Sequence, residues 1–426
     1  MTQNTIQRIS SVLNICLVFL VAFILSIKLQ EFFSVNVVLL SAAVVYLLKN
    51  VLIDKSNPRW NALDLAVITV VGVELITFLG SSYKSNSEYY LIEVWFLLLW
   101  YWLLRQNLRL NYQRMAICAF LSVWAAFLSV VGFLNLYSLR RNLTEFGFRD
   151  ITDFKYRIYV LNPVGLSIGE WSTTLLILLP FPIGAFIRFS NHRVLKWVFG
   201  ATTAALLAVN LLTFIRGVYV AAAAFFVVGT ILFGFYRLFS WRQVLAFDAL
   251  VLIAAALILA PFYRPVMTTA AMMRTVSQAR SLQGRQNIWK NSLQLIEQHP
   301  WLGIGANNFS MQYVSIKRPE EESGIALRPF NSFLQILIEK GLLGVLAYSF
   351  LIVAFFLVSH KKLKRSATDP FYKGIIILFM AAYAAVMVRD LTESSVFINR
   401  GAQALLWFMF AHNASDNDFP NPSTEP

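Results

Sequence analysis

The chain has 426 residues, of which 58% are hydrophobic and only 14% are charged, and its mean hydropathy is +0.62. A soluble domain carries about 25% charged residues, so this composition excludes a disordered chain, a secreted disulfide-rich scaffold and an ordinary cytosolic enzyme. The formal charge of +14 does not indicate nucleic-acid binding in so apolar a chain. It indicates basic residues at membrane edges and in loops, where they face phosphate groups.

Apolar stretches along the chain predict the membrane spans, since a spanning helix needs about 20 apolar residues. They lie at about 9–28, 34–53, 61–80, 88–104, 115–137, 169–187, 194–214, 217–236, 244–263, 331–358 and 373–389, with a shorter stretch at 397–412. The predicted fold is an all-α polytopic membrane protein with about twelve transmembrane helices and a large outer loop between the ninth and tenth. Its predicted parts are spans one to nine (1–263, with an outer loop at 138–168), the large loop (264–330), spans ten to twelve (331–412) and a polar tail (413–426).

The distribution of Lys and Arg in the short loops predicts the orientation of the chain. With a cytoplasmic N-terminus, seventeen basic residues fall on the inner side and five on the outer side. The outer five are Lys28, Lys84, Arg216, Arg389 and Arg400. The first apolar stretch has no small-residue cleavage site after it, which indicates a retained anchor rather than a signal peptide. The N-terminus is therefore expected in the cytoplasm.

Thirteen further basic residues lie in the two longer outer loops, 138–168 and 264–330, against this trend. Long loops are partly exempt from the charge rule, which is one interpretation. The other is that these arginines bind an anionic substrate at the outer face. Composition alone favours neither interpretation.

The large loop contains an amphipathic segment, 284–297, which predicts a helix ended by Pro300. Gly303 and Gly305 follow in a segment suited to tight turns. We expect the helix to lie along the outer face of the membrane, with Trp289 at headgroup level.

Two blocks of residues carry a resemblance to a known family. The first block is Gly284-Arg285, Ile288-Trp289, His299-Pro300, Gly303-Ile304-Gly305 and Phe309, and the second is Asn331-Ser332-Phe333-Leu334-Gln335, Glu339, Gly341-Leu342-Leu343 and Gly344. In this order and topology, they resemble the O-antigen ligase/polymerase family.

The resemblance implies glycan transfer from a polyprenyl-diphosphate carrier to an acceptor at the periplasmic face of the bacterial inner membrane. Its partners would be the lipid-linked glycan, a glycan or lipid A core acceptor and membrane lipids. It implies no nucleotide, metal or other cofactor, in keeping with the absence of metal-ligand spacing among the four histidines and two cysteines. Members attach O-antigen to lipid A core, polymerise repeat units or glycosylate proteins, so both ligase and polymerase remain open.

Three arginines are the candidate contacts for the carrier diphosphate, because a guanidinium forms bidentate bonds to phosphate oxygens. Arg216 lies in the short turn between two spans, Arg285 near the start of the loop helix, and Arg264 at the outer end of the ninth span. The alternative for each is an ordinary interfacial or surface charge.

The expected general base is missing. The resembled ligases carry a histidine before the Asn-Ser-Phe-Leu block, where this chain has Phe330. The replacement candidates are four carboxylates, namely Glu320, Glu321, Glu322 and Glu393. The alternative for the acidic run is a solvated charge cluster, and the missing histidine favours a polymerase-like or divergent transferase over a histidine-dependent ligase.

Carboxylates inside the spans support a rival hypothesis. Glu74 and Glu93 lie well within apolar stretches, where acids are costly and often functional. In a small-anion transporter they would gate the pathway, although the sequence shows no inverted repeat typical of many transporters. The structural alternative is that they pair with polar groups to fix helix packing, and Glu339-Lys340 is a possible local pair.

The third hypothesis is that the protein is a catalytically inactive homologue, which Phe330 in place of the histidine supports.

Overall fold

The computed structural model describes residues 60–108, 111–145, 168–213, 215–262, 276–316, 328–365, 369–394 and 400–415, together with 12–13, 16 and 44–45. Within these ranges every regular element is a helix, which confirms the all-α prediction. Most of the first two predicted spans, most of the outer loop 138–168 and the polar tail after Ser415 lie outside the described residues.

Thirteen α-helices are described outside the short pieces before residue 60. They are α1 (Ala62–Leu79), α2 (Lys84–Asn107), α3 (Asn111–Glu145), α4 (Ile168–Leu178), α5 (Pro180–Arg188), α6 (Arg193–Leu211), α7 (Arg216–Phe235), α8 (Trp241–Leu259), α9 (Val276–Gln298), α10 (Phe309–Ile316), α11 (Ser332–Arg365), α12 (Pro370–Asp390) and α13 (Arg400–Ala414). Pro180 separates α4 from α5 within one predicted span, as expected for a residue without a backbone donor.

Eight helical stretches in the described part of the chain are long and apolar enough to cross a membrane. They include α1, α4 together with α5, α6, α7, α8, α11 and α12, and the apolar part of α3. Two predicted spans do not qualify. The helix α2 carries several charged side chains, among them Glu93 and Arg105, and α13 has only 15 residues, fewer than the roughly 20 that a span needs.

The helix α12 forms the centre of the bundle. It packs along α7 and contacts α4, α5, α11 and α13, and almost all its side chains are buried. The rings of Phe379, Phe181 and Phe408 meet beside it at centroid distances of 5.5–6.0 Å. Because α12 is packed on all sides, it is rigid, and the residues at its C-terminal end are held in a fixed position.

The helix ends that contact one another identify the two ends of the bundle. At one end, here called the site end, the last turn of α12 meets the first residues of α4, α7 and α11. At the far end, Lys362 donates to the carbonyls of His412 and Asn413, where α13 finishes. The large loop follows α8 and rejoins the bundle at the site end through α11.

The loop helix α9 ends at Gln298, as predicted from Pro300. The sequence predicts that Ile288, Trp289, Leu293 and Ile296 share its apolar face, and the buried face differs from this. Leu293 is 53% exposed, whereas Asn291, Ser292 and Leu295 are buried. The reason is that α9 packs on α10 as well as on α11. Leu295 contributes to a small core with α10, and the polar Asn291 approaches the Tyr313 hydroxyl at 3.5 Å.

The helix α11 is interrupted at Gly341, whose φ of 61° and ψ of −160° are not helical. The break leaves two carbonyls and two amides without their partners one turn away. The large loop supplies all four partners from the segment 300–305. Ile304 and Gly305 donate to the carbonyls of Ile338 and Glu339 at 3.0 and 2.9 Å.

The reverse bonds complete this exchange. Leu342 and Leu343 donate to the carbonyls of Pro300 and Trp301 at 2.8 and 3.3 Å. The two backbones approach so closely that a Cβ on Gly341 would lie 2.3 Å from the Trp301 carbonyl carbon. The glycine motif after α9 and the glycine in α11 are therefore two halves of one backbone junction, here called the splice.

Asn308 connects the splice to the rest of the site end. Its amide nitrogen donates to Ile304 O at 2.9 Å and to the hydroxyl of Ser81, in the turn after α1, at 2.7 Å. Ser87 in α2 donates to Ala306 O at 2.7 Å. The loop is thus anchored on α1, α2 and α11 together.

Candidate functional site

Arg285 and Glu393 form the centre of the candidate site. The α9 helix presents Arg285 to the segment just after α12, where Nη1 donates to Thr392 O at 2.9 Å and Nη2 to Glu393 Oε1 at 3.3 Å. The two side chains are 26% and 30% exposed. An ion pair this accessible to water contributes at most about 1 kcal/mol, so an anionic ligand has little to displace.

Phe330, at the position of the absent histidine, faces the same guanidinium. Its ring centroid lies 5.1 Å from Arg285 Cζ, which is within the range of a cation–π contact. The preceding carbonyl, that of Pro329, accepts a hydrogen bond from Trp289 Nε1 at 2.7 Å. Phe330 has a φ of 51°, an uncommon conformation for a side chain other than glycine or asparagine. Trp289 and the start of α11 hold it there.

The Asn-Ser-Phe-Leu block fixes the start of α11 against the end of α12. The Asn331 carbonyl oxygen accepts from Leu334 N at 2.9 Å, which caps the helix. Its amide donates to Leu391 O at 3.1 Å, and the Ser332 hydroxyl donates to Glu393 O at 3.3 Å. Asn331 therefore positions the segment that carries Glu393, while its own groups bind backbone.

Arg216 is the first residue of α7 and is partly exposed. The next residue, Gly217, packs so closely that an added Cβ would lie 3.1 Å from Thr392 Oγ1. Thr392 is the residue whose carbonyl accepts from Arg285. The backbone at the start of α7, which carries Arg216, therefore packs against the same segment after α12 that Arg285 contacts.

Arg328 is a further cation of the site that sequence reasoning missed. It is partly buried in the segment just before α11, near the carboxylates of Glu170, Glu339 and Glu393. Burial lowers the pKa of its guanidinium, and the three carboxylates oppose that shift. The sequence signal for it is its place two residues before Phe330, among the thirteen basic residues of the long outer loops.

Arg389, in the last turn of α12, lies beneath this cluster. Its side chain is 1% exposed, and Nη2 donates to Ser172 Oγ at 2.8 Å and to Gly169 O at 3.1 Å in the first turn of α4. It therefore ties α4 to α12. Arg389 was predicted in a short outer loop, but α12 extends to Asp390, so it lies in the last turn of the helix. Its predicted position on the outer side of the membrane stays a prediction.

A groove opens beside the site between α9 and α11. Its cavity volume is about 500 Å³, and Trp289, Leu293, Leu334, Leu337 and Val345 provide much of its apolar wall. Arg285 lies one helical turn from Trp289, and Asn331 lines the same groove. The groove therefore joins a cationic cluster to an apolar surface that follows a membrane-spanning helix.

The intramembrane Glu74 has a structural partner. Lys340, which lies next to the break in α11, forms an ion pair with Glu74 of α1, and both side chains are 1% exposed. Tyr348 donates to Glu74 Oε1 at 2.9 Å, and Lys340 donates to Tyr348 at 3.0 Å. The suggested local pair between Glu339 and Lys340 is therefore replaced by a bond between helices. Glu339 approaches the amide of Phe309 at 3.4 Å instead.

The remaining sequence candidates lie outside the described residues. These are Arg264 and the acidic run Glu320, Glu321 and Glu322. Among the described residues, no group of three or more His, Cys, Asp or Glu side chains is arranged to hold a metal ion.

Comparison with known proteins supports the resemblance. Residues 201–349, about a third of the chain, match the family model described as O-antigen ligase. The matched region includes Arg216, Arg285, Arg328 and both halves of the splice. No curated protein matches the chain.

Proposed function

We propose that the protein is a membrane glycosyltransferase of the O-antigen ligase type. It moves a glycan from a polyprenyl-diphosphate carrier to a glycan or lipid A core acceptor at the periplasmic face of the bacterial inner membrane, without a metal ion. The observation that carries the proposal is that Arg285 bonds to Glu393 and Arg328 lies near the same carboxylate, beside an apolar groove. A lipid-linked diphosphate requires both of these surfaces next to each other. The start of α7, which carries Arg216, packs against the neighbouring Thr392 through Gly217.

In this proposal the arginines bind the donor diphosphate. Arg285 exchanges its exposed pair with Glu393 for two phosphate oxygens, and Arg216 and Arg328 add positive charge. As the anomeric C–O bond to the phosphate breaks, these cations stabilise the charge that develops on the leaving diphosphate. Arg264, at the outer end of the ninth predicted span, is a fourth candidate for this role.

Glu393 is the proposed base. When Arg285 binds the diphosphate, the Glu393 carboxylate loses its cationic partner. It is then available to accept the proton of the acceptor hydroxyl. The acceptor oxygen forms the new bond to the anomeric carbon, and its proton passes to Glu393. Glu320, Glu321 and Glu322 remain alternative bases, and Phe330 cannot serve because its ring takes no proton.

The groove between α9 and α11 is the proposed path for the polyprenyl chain. The chain stays in the bilayer while its diphosphate lies at the site end, so it needs a lateral opening. The apolar side chains of α11 that line the groove beside Trp289 and Asn331 provide such a lateral opening.

The test is transfer by the purified protein in liposomes that contain a polyprenyl-diphosphate oligosaccharide, with and without lipid A core. Transfer to core indicates a ligase, whereas lengthening of the glycan without core indicates a polymerase, which the loss of the histidine at Phe330 favours. If neither product forms, the proposed function is contradicted.

Variants test the site separately. We expect Arg216→Ala and Arg285→Ala each to lower transfer by at least tenfold, and Glu393→Gln to lower kcat while donor binding persists. The matched control is Arg365→Ala, an exposed arginine at the far end of α11. Wild-type transfer by both site arginine variants would exclude this site even if the protein proves to be a transferase.

A further inference from the structure

A second groove lies at the far end of the bundle, away from the candidate site. It has a cavity volume of about 570 Å³ and is lined by parts of α5, α6, α7 and α8 and the start of α12. Thr230 in its wall lies 14 residues after Arg216 on α7, which corresponds to about 20 Å along a helix. The groove therefore belongs to neither the arginine cluster nor the α9–α11 groove.

Aromatic side chains form a large part of the wall of this groove. Phe186, Phe226, Phe233 and Phe247 line it, and the rings of Phe186 and Phe247 lie 4.7 Å apart. The volume is within the range of about 300–1,000 Å³ that is typical of small-molecule sites. An occupant must therefore present a largely apolar body.

Charge in the groove is distributed unevenly. Lys196, in the first turn of α6, lies at its mouth with Nζ 5.2 Å from the Phe186 ring centroid. Among the described residues no carboxylate lies within ion-pair distance of Lys196, and Gln243 adds an exposed amide nearby. Because Lys196 and Gln243 both lie in the first turns of their helices, the cation and the donor are at the membrane edge.

The one acidic side chain among the described lining residues lies deeper. Asp248 is in the third turn of α8, where its carboxylate accepts from Thr230 Oγ1 at 2.5 Å. A phosphate placed beside Asp248 would be repelled, whereas a phosphate at Lys196 would be attracted. The groove thus favours a ligand with an anionic head at the edge and an apolar tail inside.

We propose that this groove binds one anionic phospholipid of the surrounding leaflet, with its phosphate at Lys196 and one acyl chain along the phenylalanines. A lipid is the matching occupant because the groove lies on helices that cross the membrane and has its charged mouth at their ends. The attraction of an anionic headgroup to one Lys near the surface corresponds to about a five-fold preference. This proposal is independent of the transfer reaction.

The test uses the full-length protein in nanodiscs that contain phosphatidylglycerol or phosphatidylcholine with a photoreactive acyl chain. After illumination, adducts are assigned to peptides by mass spectrometry. We expect phosphatidylglycerol to label the peptides of 225–250 about five-fold more than phosphatidylcholine, and Lys196→Gln to remove this preference. Equal labelling by the two lipids in the wild-type protein would overturn the proposal.

Two tryptophan variants on neighbouring positions provide the matched comparison. Ala246→Trp fills the groove from an exposed position that lines it, whereas Leu245→Trp adds the same side chain to the adjacent, 56% exposed position outside the lining. Labelling should fall at least five-fold in Ala246→Trp only. Unchanged labelling in Ala246→Trp, or displacement of the label by polyprenyl phosphate but not by unlabelled phosphatidylglycerol, would also overturn the proposal.

Discussion

Phe330 gives the candidate site a different character from a histidine-dependent one. An aromatic ring contributes no proton transfer, but it holds the Arg285 guanidinium from one face at 5.1 Å. The other contacts of Arg285 are a carbonyl and a partly exposed carboxylate, so the ring contributes to its orientation. At this position the side chain can therefore orient Arg285 but cannot transfer a proton.

The first prediction concerns this ring. Phe330→Leu keeps the bulk but removes the cation–π contact, which contributes about 0.5–1 kcal/mol at an exposed site. We expect the donor KM to rise about two- to five-fold while kcat stays within two-fold. Steady-state transfer assays measure both constants, with Phe127→Leu, at a position 49% exposed on α3, as the control. An unchanged KM would mean that the ring does not orient Arg285.

Arg389 shows how sequence and structure diverge at a single residue. Its charge suggested an outer loop, yet it is buried and bonded to the first turn of α4. The sequence could not reveal this, because a charge at the end of an apolar stretch is compatible with either side of the boundary. Its hydrogen-bond partner lies more than 200 residues away, and no local pattern records such a contact.

At the scale of elements, the splice joins the glycine motif after α9 to α11. The segment 300–305 takes over the backbone bonds that α11 loses at Gly341. Positive φ angles at Gly303 and Gly341 make side chains unfavourable at both places.

The second prediction follows from this junction. In Gly341→Ala, the new Cβ would meet backbone at 2.3 Å in a conformation that other residues rarely adopt. We expect a loss of more than about 2 kcal/mol of stability, together with reduced transfer. The control is Gly72→Ala in α1, where nothing lies within 4 Å of the new Cβ and stability should be unchanged or slightly higher. Thermal unfolding in detergent compares them, and equal midpoints would contradict the splice.

The third prediction concerns the ion pair between α1 and α11. Lys340→Met leaves the buried Glu74 carboxylate without its cation, which costs about 3–5 kcal/mol. Adding Glu74→Gln removes the buried charge, so the double variant should regain most of the lost stability. Unfolding midpoints of both variants test this, with Lys361→Met at an exposed far-end position as the control. A double variant less stable than Lys340→Met would contradict the pairing.

The sequence predicted the helices better than their junctions. Apolar length alone located α1, α6, α7, α8, α11 and α12, because a bilayer sets a minimum span. It could not reveal the break in α11, since the freed backbone groups find partners in a distant loop. For the same reason Lys340 was assigned to its sequence neighbour Glu339, whereas its partner lies 266 residues away.

At the scale of the whole molecule, the positive charge of the chain is distributed between the two ends of the bundle. The site end has Arg285 and Arg328 near Glu393, with Arg216 as the first residue of α7. The far end has exposed basic residues along the mouth of the second groove and the end of α11. The first set is arranged around a candidate substrate site, and the second has the distribution expected of a cytoplasmic edge.

The last prediction tests this assignment of sides. In a variant without Cys16 and Cys118, a single cysteine is placed at Tyr83, 45% exposed in the turn after α1, or at Trp241, 50% exposed at the start of α8. Because the site end is proposed to face the periplasm, a membrane-impermeant maleimide should label Tyr83→Cys in cells whose outer membrane alone is permeabilised. Trp241→Cys should react only in inverted membrane vesicles. The opposite pattern would place the arginine cluster in the cytoplasm, where a periplasmic acceptor could not reach Glu393, and would overturn the proposed direction of transfer.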